Sequence, residues 1–421
     1  MRDGGERRVG SSPPRRLEAV DAANVLIVGA GQAGLATSHE LTQRGVDHVV
    51  LERGRVAQAW RDRWDSFCLV TPNWSIMLPG GRYDGPDPDG FLPRDEFVAL
   101  VERYAASIGA PVHEGVEVTS IERSPDGGFR VSTSAGEMSA RRVVLAAGAF
   151  QRSHLPFADS LPGTLERLDV RSYRNPQALP EGGVLIIGSG QSGLQIAEEL
   201  HESGRDVVIA CGRAPWLPRR LGDRDIVWWA LETGFLDQPV QALADPAERL
   251  VANLQNSGRD GGHSLSYRTL RDLGVQLVGR FLGSADGHLE FAPDLAASVA
   301  FGDAAHGRFM DLVRRTVAER GLEPPPIEEP DTFDATTETR LPIARFSSVI
   351  HASGFRPAYR EWLPWPEAFD DLGFPIHEDG ASTVVPGLHF VGVHFLRTRK
   401  SSSLLGVAED AAVVAERIAS A

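Results

Sequence analysis

Residues 25–41, VLIVGAGQAGLATSHEL, determine how the rest of the chain is interpreted. Four apolar residues lead into Gly29, Gly31 and Gly34, and a helical pattern follows them. This order predicts a buried strand, a tight glycine turn and the start of a helix. Such a turn presents backbone N–H groups and a helix N-terminus to a pyrophosphate, so we expect a dinucleotide site here.

A second predicted strand, DHVVLE at 47–52, ends in an acid. Glu52 lies 18 residues after Gly34, near the spacing at which a carboxylate meets an adenosine ribose. A free ribose hydroxyl is found in FAD and in NAD, and both fit this position. The alternative is a structural glycine turn in an α/β unit that binds no nucleotide.

Composition excludes several classes of protein. The chain has 421 residues, of which 42% are hydrophobic and 24% charged, as is typical of a globular protein with a large core. A net charge of −14 argues against binding to nucleic acid or to acidic membranes. Cys68 and Cys211 are the only cysteines and lie far apart, so we expect no disulfide framework, no redox pair, no metal site and a cytoplasmic location.

The N-terminal residues 1–22 are rich in Arg, Pro, Gly and Ser and lack apolar periodicity. They are predicted to form a disordered leader. Two Arg-Arg pairs occur in it, but no apolar segment follows them as a secretion signal requires. No run approaches the roughly 18 apolar residues of a membrane span.

The opening pattern returns as VLIIGSGQSGL at 184–194, with Gly188 placed 159 residues after Gly29. The strand after it ends at Cys211 without an acid, and Arg213 follows. An arginine pairs with a 2′-phosphate that a carboxylate would repel, so the second nucleotide is predicted to be NADPH and the first FAD. The alternative for Arg213 is a solvated loop charge. The expected NADPH contacts are Gly188, Ser189, Gly190, Gln191, Ser192, Gly193 and Arg213.

Residues 221–326 are less informative. A helix is predicted at 225–231, and His263 lies in a Gly-rich turn, where it serves either catalysis or local hydrogen bonding. The Pro-rich residues 323–330 predict a linker. Trp74, Trp228 and Trp229 are candidates for an aromatic substrate pocket, with core packing as the alternative for each.

These motifs together resemble the flavin-containing monooxygenase group in the broad sense, which includes flavin-containing monooxygenases, Baeyer–Villiger enzymes, amine N-hydroxylases and YUCCA enzymes. Residues 146–148 (AAG) and 352–354 (ASG) are similar to the two Ala-Thr-Gly turns of that group. Residues 51–53 (LER), Trp60 and the closing segment 403–411 also resemble it. The resemblance implies FAD contacts from Arg53, Trp60, Val118, Gly148 and Leu404.

One signature of the group departs from its pattern. The motif Phe-x-Gly-x-x-x-His-x-x-x-aromatic can be aligned on Tyr173, which places Asp169 where His is expected and Leu165 where Gly is expected. This departure weakens a Baeyer–Villiger assignment in particular. It does not affect the two nucleotide sites.

The resemblance also implies a reaction. NADPH would reduce FAD, dioxygen would add to the flavin as a C4a-(hydro)peroxide, and one oxygen atom would pass to a small molecule at nitrogen, sulfur or a carbonyl carbon. Asn73 aligns approximately with an asparagine assigned to hydrogen bonding at the flavin or peroxide. Because it follows a proline, it is also a routine turn residue.

The predicted fold is α/β with two Rossmann-like domains, the NADPH domain being inserted into the FAD domain. We expect the FAD domain at 23–160 and 331–421, the NADPH domain at 161–330, and the active site in the cleft between them. A flavin-dependent disulfide reductase or dehydrogenase shares this architecture and is the first alternative. A non-catalytic sensor of NADPH or redox state is the second.

Overall fold

The computed structural model describes residues 22–148, 150–251 and 255–421. The expected leader therefore lies outside the described residues, apart from Ala22, which begins the first strand. In the described ranges, no helix combines the length and the apolarity needed to cross a bilayer. The helices are α1 (Gln32–Gln43), α2 (Gln58–Arg61), α3 (Arg94–Ser107), α4 (Gln191–Glu202), α5 (Ile226–Glu232), α6 (Tyr267–Leu273), α7 (Leu295–Arg320) and α8 (Val407–Ala419).

A nine-stranded and a five-stranded sheet organise the chain. Their strands are β1 (Ala22–Val28), β2 (His48–Glu52), β3 (Val112–Glu114), β4 (Val118–Arg123), β5 (Phe129–Thr133), β6 (Gly136–Leu145), β7 (Glu166–Asp169), β8 (Gly183–Ile187), β9 (Val207–Ala210), β10 (Gln276–Val278), β11 (Phe346–His351), β12 (His377–Glu378), β13 (Ala381–Ser382) and β14 (Leu388–Phe390). Smaller ladders join Met77–Leu78 to Gly81–Arg82, Arg220–Leu221 to Arg224–Asp225, Asn256–Ser257 to His263–Ser264, and Phe281–Ala285 to His288–Phe291 and Arg340–Pro342.

The first sheet has the order β12-β13-β14-β6-β1-β2-β3, with β5 added to β6 and β4 to β5. Strands β14, β6, β1, β2 and β3 run parallel. The second half of β1, Val25–Val28, is a continuous apolar run because both faces of the strand are covered there. Val25 and Ile27 pack into the cluster that contains residues of α1 and α8, whereas Leu26 packs into the opposite cluster with Phe129 and Phe390.

The second sheet repeats this plan, with the parallel order β7-β11-β8-β9-β10. In each sheet the strand before the glycine loop is central. Val28 is aligned with Leu51 and Leu145 in the first sheet, and Ile187 with Ala210 and His351 in the second. The prediction of an α/β fold with two Rossmann-like units is confirmed.

The boundary between the units needs a correction. Strand β11 (Phe346–His351) lies between β7 and β8 in the second sheet, so the expected return to the first domain at residue 331 is too early. The chain re-enters the first sheet only at β12 (His377–Glu378). The two crossing segments pair antiparallel through Arg152–Ser153 and Phe355–Arg356, and the Pro-rich residues 323–330 instead link α7 to Arg340–Pro342.

Helix α7 (Leu295–Arg320) was not predicted, although it has 26 residues. Two glycines inside it, Gly302 and Gly307, weaken the sequence signal because glycine lowers helix propensity. A Cβ on Gly302 would lie 2.9 Å from the Trp216 ring and 3.1 Å from the Ala214 carbonyl oxygen. Close tertiary packing therefore explains one of the two glycines.

Candidate active site

The first glycine loop has the geometry expected for phosphate binding. Gly29 has φ +106°, and a Cβ on it would lie 2.7 Å from the Ala146 carbonyl oxygen. A Cβ on Gly34 would lie 1.8 Å from the Gly29 carbonyl oxygen, whereas no described atom would come within 4 Å of a Cβ on Gly31. Gly29 and Gly34 therefore permit close packing of helix and strand, and Gly31 leaves open space for a ligand.

Helix α1 begins at this loop with free donors. Gly31 is its N-cap residue, and within the described chain no side chain caps it and no acid occupies its first turn. Its first N–H groups and its dipole are therefore available to an anion.

Glu52 lies at the end of β2 beside the loop and is only 8% exposed. Its carboxylate accepts hydrogen bonds from the backbone N–H groups of Ala30, at 2.8 Å, and Gly54, at 2.9 Å. Each carboxylate oxygen retains a lone pair. Because Glu52 also lines the cavity, its position suits the acceptance of ribose hydroxyls.

The second loop repeats the backbone geometry. Gly188 has φ +106°, and its Cβ would lie 2.6 Å from the Ala352 carbonyl oxygen. The Cβ of an alanine at Gly193 would lie 2.2 Å from the Gly188 carbonyl oxygen. Helix α4 starts after Gly190, again with neither a side-chain cap nor an acid in its first turn among the described residues.

The side chains beside the second loop differ. Cys211 is aligned with Glu52, and it is buried and apolar. Ser189 Oγ accepts from the Gly212 N–H at 2.9 Å, and Tyr267 Oη donates to the Gly212 carbonyl oxygen at 2.5 Å. These contacts fix the segment that carries Arg213.

Arg213 is exposed at the cavity wall, 6.0 Å from the Phe301 ring. Among the described residues it forms no ion pair. The absence of a carboxylate partner leaves its guanidinium free for a 2′-phosphate.

Both loops open onto one cavity of about 2280 Å³. A pocket for one ligand usually measures about 300–1,000 Å³, so this cavity has room for two dinucleotides. Together with the glycine cradles and the uncapped helices, this volume fits FAD and NADPH. The predicted contacts that line it are Gly29, Gly31, Glu52, Arg53, Trp60, Val118, Gly148, Leu404, Gly188, Ser189, Gly190, Gln191, Ser192 and Arg213. Gly34 and Gly193 contribute through helix packing instead.

Asn73 is not placed for its expected catalytic role. Its side chain is 2% exposed, and its amide donates to the Asp87 carbonyl oxygen at 2.9 Å and accepts from the Leu92 N–H at 2.8 Å. It lies outside the cavity wall that the described residues form. Its geometry is that of a brace between two loop segments, because both ends of the amide are bound to backbone.

The other candidates for a catalytic or substrate-binding role, His263 and three tryptophans, also lie outside that wall. His263 bonds through Nε2 to Glu198 Oε1 at 2.7 Å, which raises the pKa of His263 and matches the hydrogen-bonding alternative. Trp229 is buried and donates to the Leu221 carbonyl oxygen, whereas Trp74 and Trp228 are half-buried away from the cavity. The tryptophans among the lining residues are instead Trp60, Trp216 and Trp362.

Asp169, at the position of the family histidine, organises a turn. It accepts hydrogen bonds from the Ser153 hydroxyl, the Ser172 hydroxyl at 2.7 Å and the Arg171 N–H at 3.1 Å. These hydrogen bonds outweigh its burial and lower the pKa of its carboxyl group. Asp169 therefore links β7 to the crossing segment and remains ionised.

Gln32 and His394 are among the lining residues that were not predicted. Gln32 Oε1 accepts a hydrogen bond from Trp60 Nε1 at 2.9 Å. A glutamine follows the second glycine in both glycine motifs, and this recurrence was the sequence signal that could have identified it. His394 follows β14, next to Phe395 with φ +52°. Burial, with smaller effects of Arg399 and Arg249, lowers the pKa of His394 to about 4. Its imidazole is therefore neutral at physiological pH.

The two cysteines do not form a redox pair. Both are free; Cys211 lines the cavity, whereas Cys68 is half-buried outside the wall of described residues. Burial raises the pKa of both thiols, which opposes thiolate formation. The cavity therefore lacks the paired thiols of a disulfide-reducing centre among its described residues.

Comparison with known proteins gives the family. The family model described as pyridine nucleotide-disulphide oxidoreductase matches residues 26–222. An uncharacterized CzcO-like oxidoreductase of Geobacillus kaustophilus is 30% identical over 391 residues, which cover 92% of this chain and 96% of the relative. Indole-3-pyruvate monooxygenase YUCCA1 of Oryza sativa subsp. japonica is 31% identical over 229 residues, covering 47% and 55%.

The fold is that of known flavin enzymes. A flavin-containing monooxygenase from Stenotrophomonas maltophilia superposes with a TM-score of 0.65 at 19% identity, covering 95% of this chain and 99% of its own. The resemblance inferred from the glycine motifs is confirmed. The chain belongs to the CzcO-like oxidoreductases, and it resembles flavin-containing monooxygenases, which use FAD and NADPH.

Proposed function

We propose that the chain binds FAD at the first glycine loop and NADPH at the second, and uses them with dioxygen to oxygenate a small molecule. The observation that carries this proposal is the single cavity onto which both loops open, with Glu52 beside one and Arg213 beside the other. The monooxygenase names of the rice and Stenotrophomonas proteins support the oxygenation. The lack of paired thiols in the described cavity argues against disulfide reduction.

The residues have distinct parts. FAD bound at the first loop would supply the redox chemistry that couples NADPH to dioxygen. Glu52 would accept hydrogen bonds from ribose hydroxyls, the N-termini of α1 and α4 would bind the pyrophosphates, and Arg213 would pair with the 2′-phosphate. His394 remains neutral and supplies no acidic proton near pH 7.

Apolar side chains also line the cavity onto which the two nucleotide loops open. They exclude water from the reacting centre and offer an apolar surface to the substrate. These side chains are Phe67, Leu69, Ile226, Phe235 and Phe395.

The test uses the purified protein with thioanisole and cyclohexanone as substrates under isotopically labelled dioxygen. We expect a yellow protein that prefers NADPH to NADH, takes up oxygen and places one labelled atom in a product. The matched control is Cys68→Ser with Cys211→Ser, which should retain activity because no thiol acts.

Three results would contradict the proposal. A colourless protein that does not take up FAD would exclude a flavoenzyme. NADPH-dependent reduction of a disulfide that is lost in the cysteine-free variant would identify a reductase. Bound flavin without NADPH turnover would identify a sensor.

A further inference from the structure

Most arginines on the cavity wall are either paired with a carboxylate or exposed to solvent. Arg219, Arg249 and Arg280 are each paired with a carboxylate, and Arg53 and Arg213 are exposed to solvent. Arg63 belongs to neither group: it is half-buried, and its Nε is buried without a hydrogen-bond partner. Among the described residues, its guanidinium forms no hydrogen bond and no ion pair. A buried guanidinium nitrogen without a hydrogen-bond partner is costly, so the position of Arg63 requires an explanation.

Two aromatic rings flank the Arg63 guanidinium. Its Cζ lies 5.7 Å from the centre of the Phe67 ring and 5.6 Å from that of Phe150. Contacts with aromatic rings stabilise a cation, but the rings do not accept hydrogen bonds from its in-plane N–H groups. The N–H groups of Arg63 therefore remain without a protein acceptor, and those that reach the cavity are available to a ligand.

Arg171 supplies a second guanidinium. It is half-buried on the same wall, donates to the Gln151 carbonyl oxygen at 3.0 Å and has no ion pair among the described residues. Burial and the charge of Arg171 lower the pKa of Arg63 to about 10, against a smaller opposing effect of Asp62. The Asp62 carboxylate is already bound by the Gln58 amide at 2.8 Å.

Arg63 contacts the Phe150 ring and Arg171 donates to the carbonyl oxygen of the next residue, Gln151, so the two cations lie side by side. Such a pair with free donors suits an anion. The pyrophosphates have their own sites at the N-termini of α1 and α4, and the 2′-phosphate has Arg213. We propose that Arg63 and Arg171 bind an oxyanion in the cavity. This oxyanion is the carboxylate of an organic acid whose apolar body packs on Phe67 and Phe150. The alternative source of an oxyanion is a phosphate of NADPH. Only this choice of source rests on the proposed function.

The experiment measures binding to the oxidised holoprotein without turnover. Perturbation of the flavin absorbance gives Kd for phenylacetate, for its neutral analogue phenylacetamide and for NADP⁺. The variants are Arg63→Gln and Arg171→Gln. Arg61→Gln is the matched control because Arg61 pairs with Glu102 and lies outside the described cavity wall.

We expect phenylacetate to bind the wild type and the Arg61→Gln control, and to bind each test variant about tenfold more weakly, as expected for a lost charge-assisted hydrogen bond. Phenylacetamide should not distinguish the variants. If the Kd of NADP⁺ rises about tenfold instead, the anion is a phosphate of NADPH.

An unchanged Kd of NADP⁺, together with phenylacetate binding that is absent or insensitive to both substitutions, would overturn the proposal. FAD content and far-UV circular dichroism identify a variant that fails to fold, and the second arginine then provides the test. Anion binding by a protein without oxygen uptake would contradict the proposed function alone.

Discussion

The two glycine loops have nearly the same backbone but different neighbours. Gly29 and Gly188 share φ +106°, and both helices start without a side-chain cap. At the end of the adjacent strand, the first unit has Glu52 and the second has Cys211. The repeated backbone therefore accounts for phosphate binding, and a few side chains distinguish the two nucleotides.

The largest effect is expected from filling the close contact between helix and strand. Gly34→Ala places a Cβ 1.8 Å from the Gly29 carbonyl oxygen, and Gly193→Ala places one 2.2 Å from that of Gly188. We expect a loss of about 3 kcal/mol in each unit. Gly34→Ala should abolish FAD binding, whereas Gly193→Ala should retain FAD and lose reduction by NADPH. Absorbance and anaerobic reduction measure both.

The control for these variants is Gly307→Ala in α7, where no described atom lies within 4 Å of the new Cβ. It should stabilise the protein by about 1 kcal/mol, since alanine has the higher helix propensity. Normal FAD content in Gly34→Ala would show that the first loop does not hold the flavin.

A second variant makes the second unit resemble the first. Cys211→Glu places a carboxylate at the position aligned with Glu52. Its repulsion of the 2′-phosphate should lower the preference for NADPH over NADH about 100-fold. Cys211→Gln has the same size without the charge and should keep most of the preference. An equal loss of NADPH preference in the two variants would show that charge is not the cause.

Acid should destabilise the first unit. Burial lowers the pKa of His389 and His394 to about 4, so the unfolded chain binds more protons from pH 6.5 down to 4. Burial raises the pKa of Asp410 to about 6, and its protonation offsets part of the loss. We expect a lower Tm at pH 5 than at pH 7, with a smaller difference in His389→Gln combined with His394→Gln. An equal difference in that variant would exclude these histidines as the cause.

The smallest effect on chemistry is expected at Asn73. Asn73→Ala removes two buried hydrogen bonds to backbone and should cost about 1–3 kcal/mol of stability. Oxygen uptake per bound FAD should stay near that of the wild type. An unchanged Tm with a large loss of that activity would restore the catalytic role.

The glycine loops were predictable because their signal is local: strand, glycines and helix follow one another in sequence. The positions of Glu52 and Arg213 beside the loops were predictable because Glu52 ends the strand after the first loop and Arg213 follows the strand after the second. The domain boundary was not, because β11 (Phe346–His351) joins the second sheet through pairing with strands far away in sequence.

The surroundings of Asn73 and of α7 also depend on residues that are distant in sequence. A residue after proline can face a ligand or brace a loop, and only the contacts with Asp87 and Leu92 decide which. Helix α7 contains Gly302, where glycine is required because Trp216, from another segment, packs against it. The anion site of Arg63 and Arg171 likewise requires residues that are distant in sequence.

The assignment of one nucleotide to each loop is tested most directly at Arg213. Arg213→Ala should lower kcat/KM for NADPH about 10–100-fold in anaerobic reduction of the bound flavin, as expected for a lost charge-assisted pair. The value for NADH should remain near that of the wild type, and FAD should stay bound. Equal losses for NADPH and NADH, or loss of FAD, would contradict the assignment.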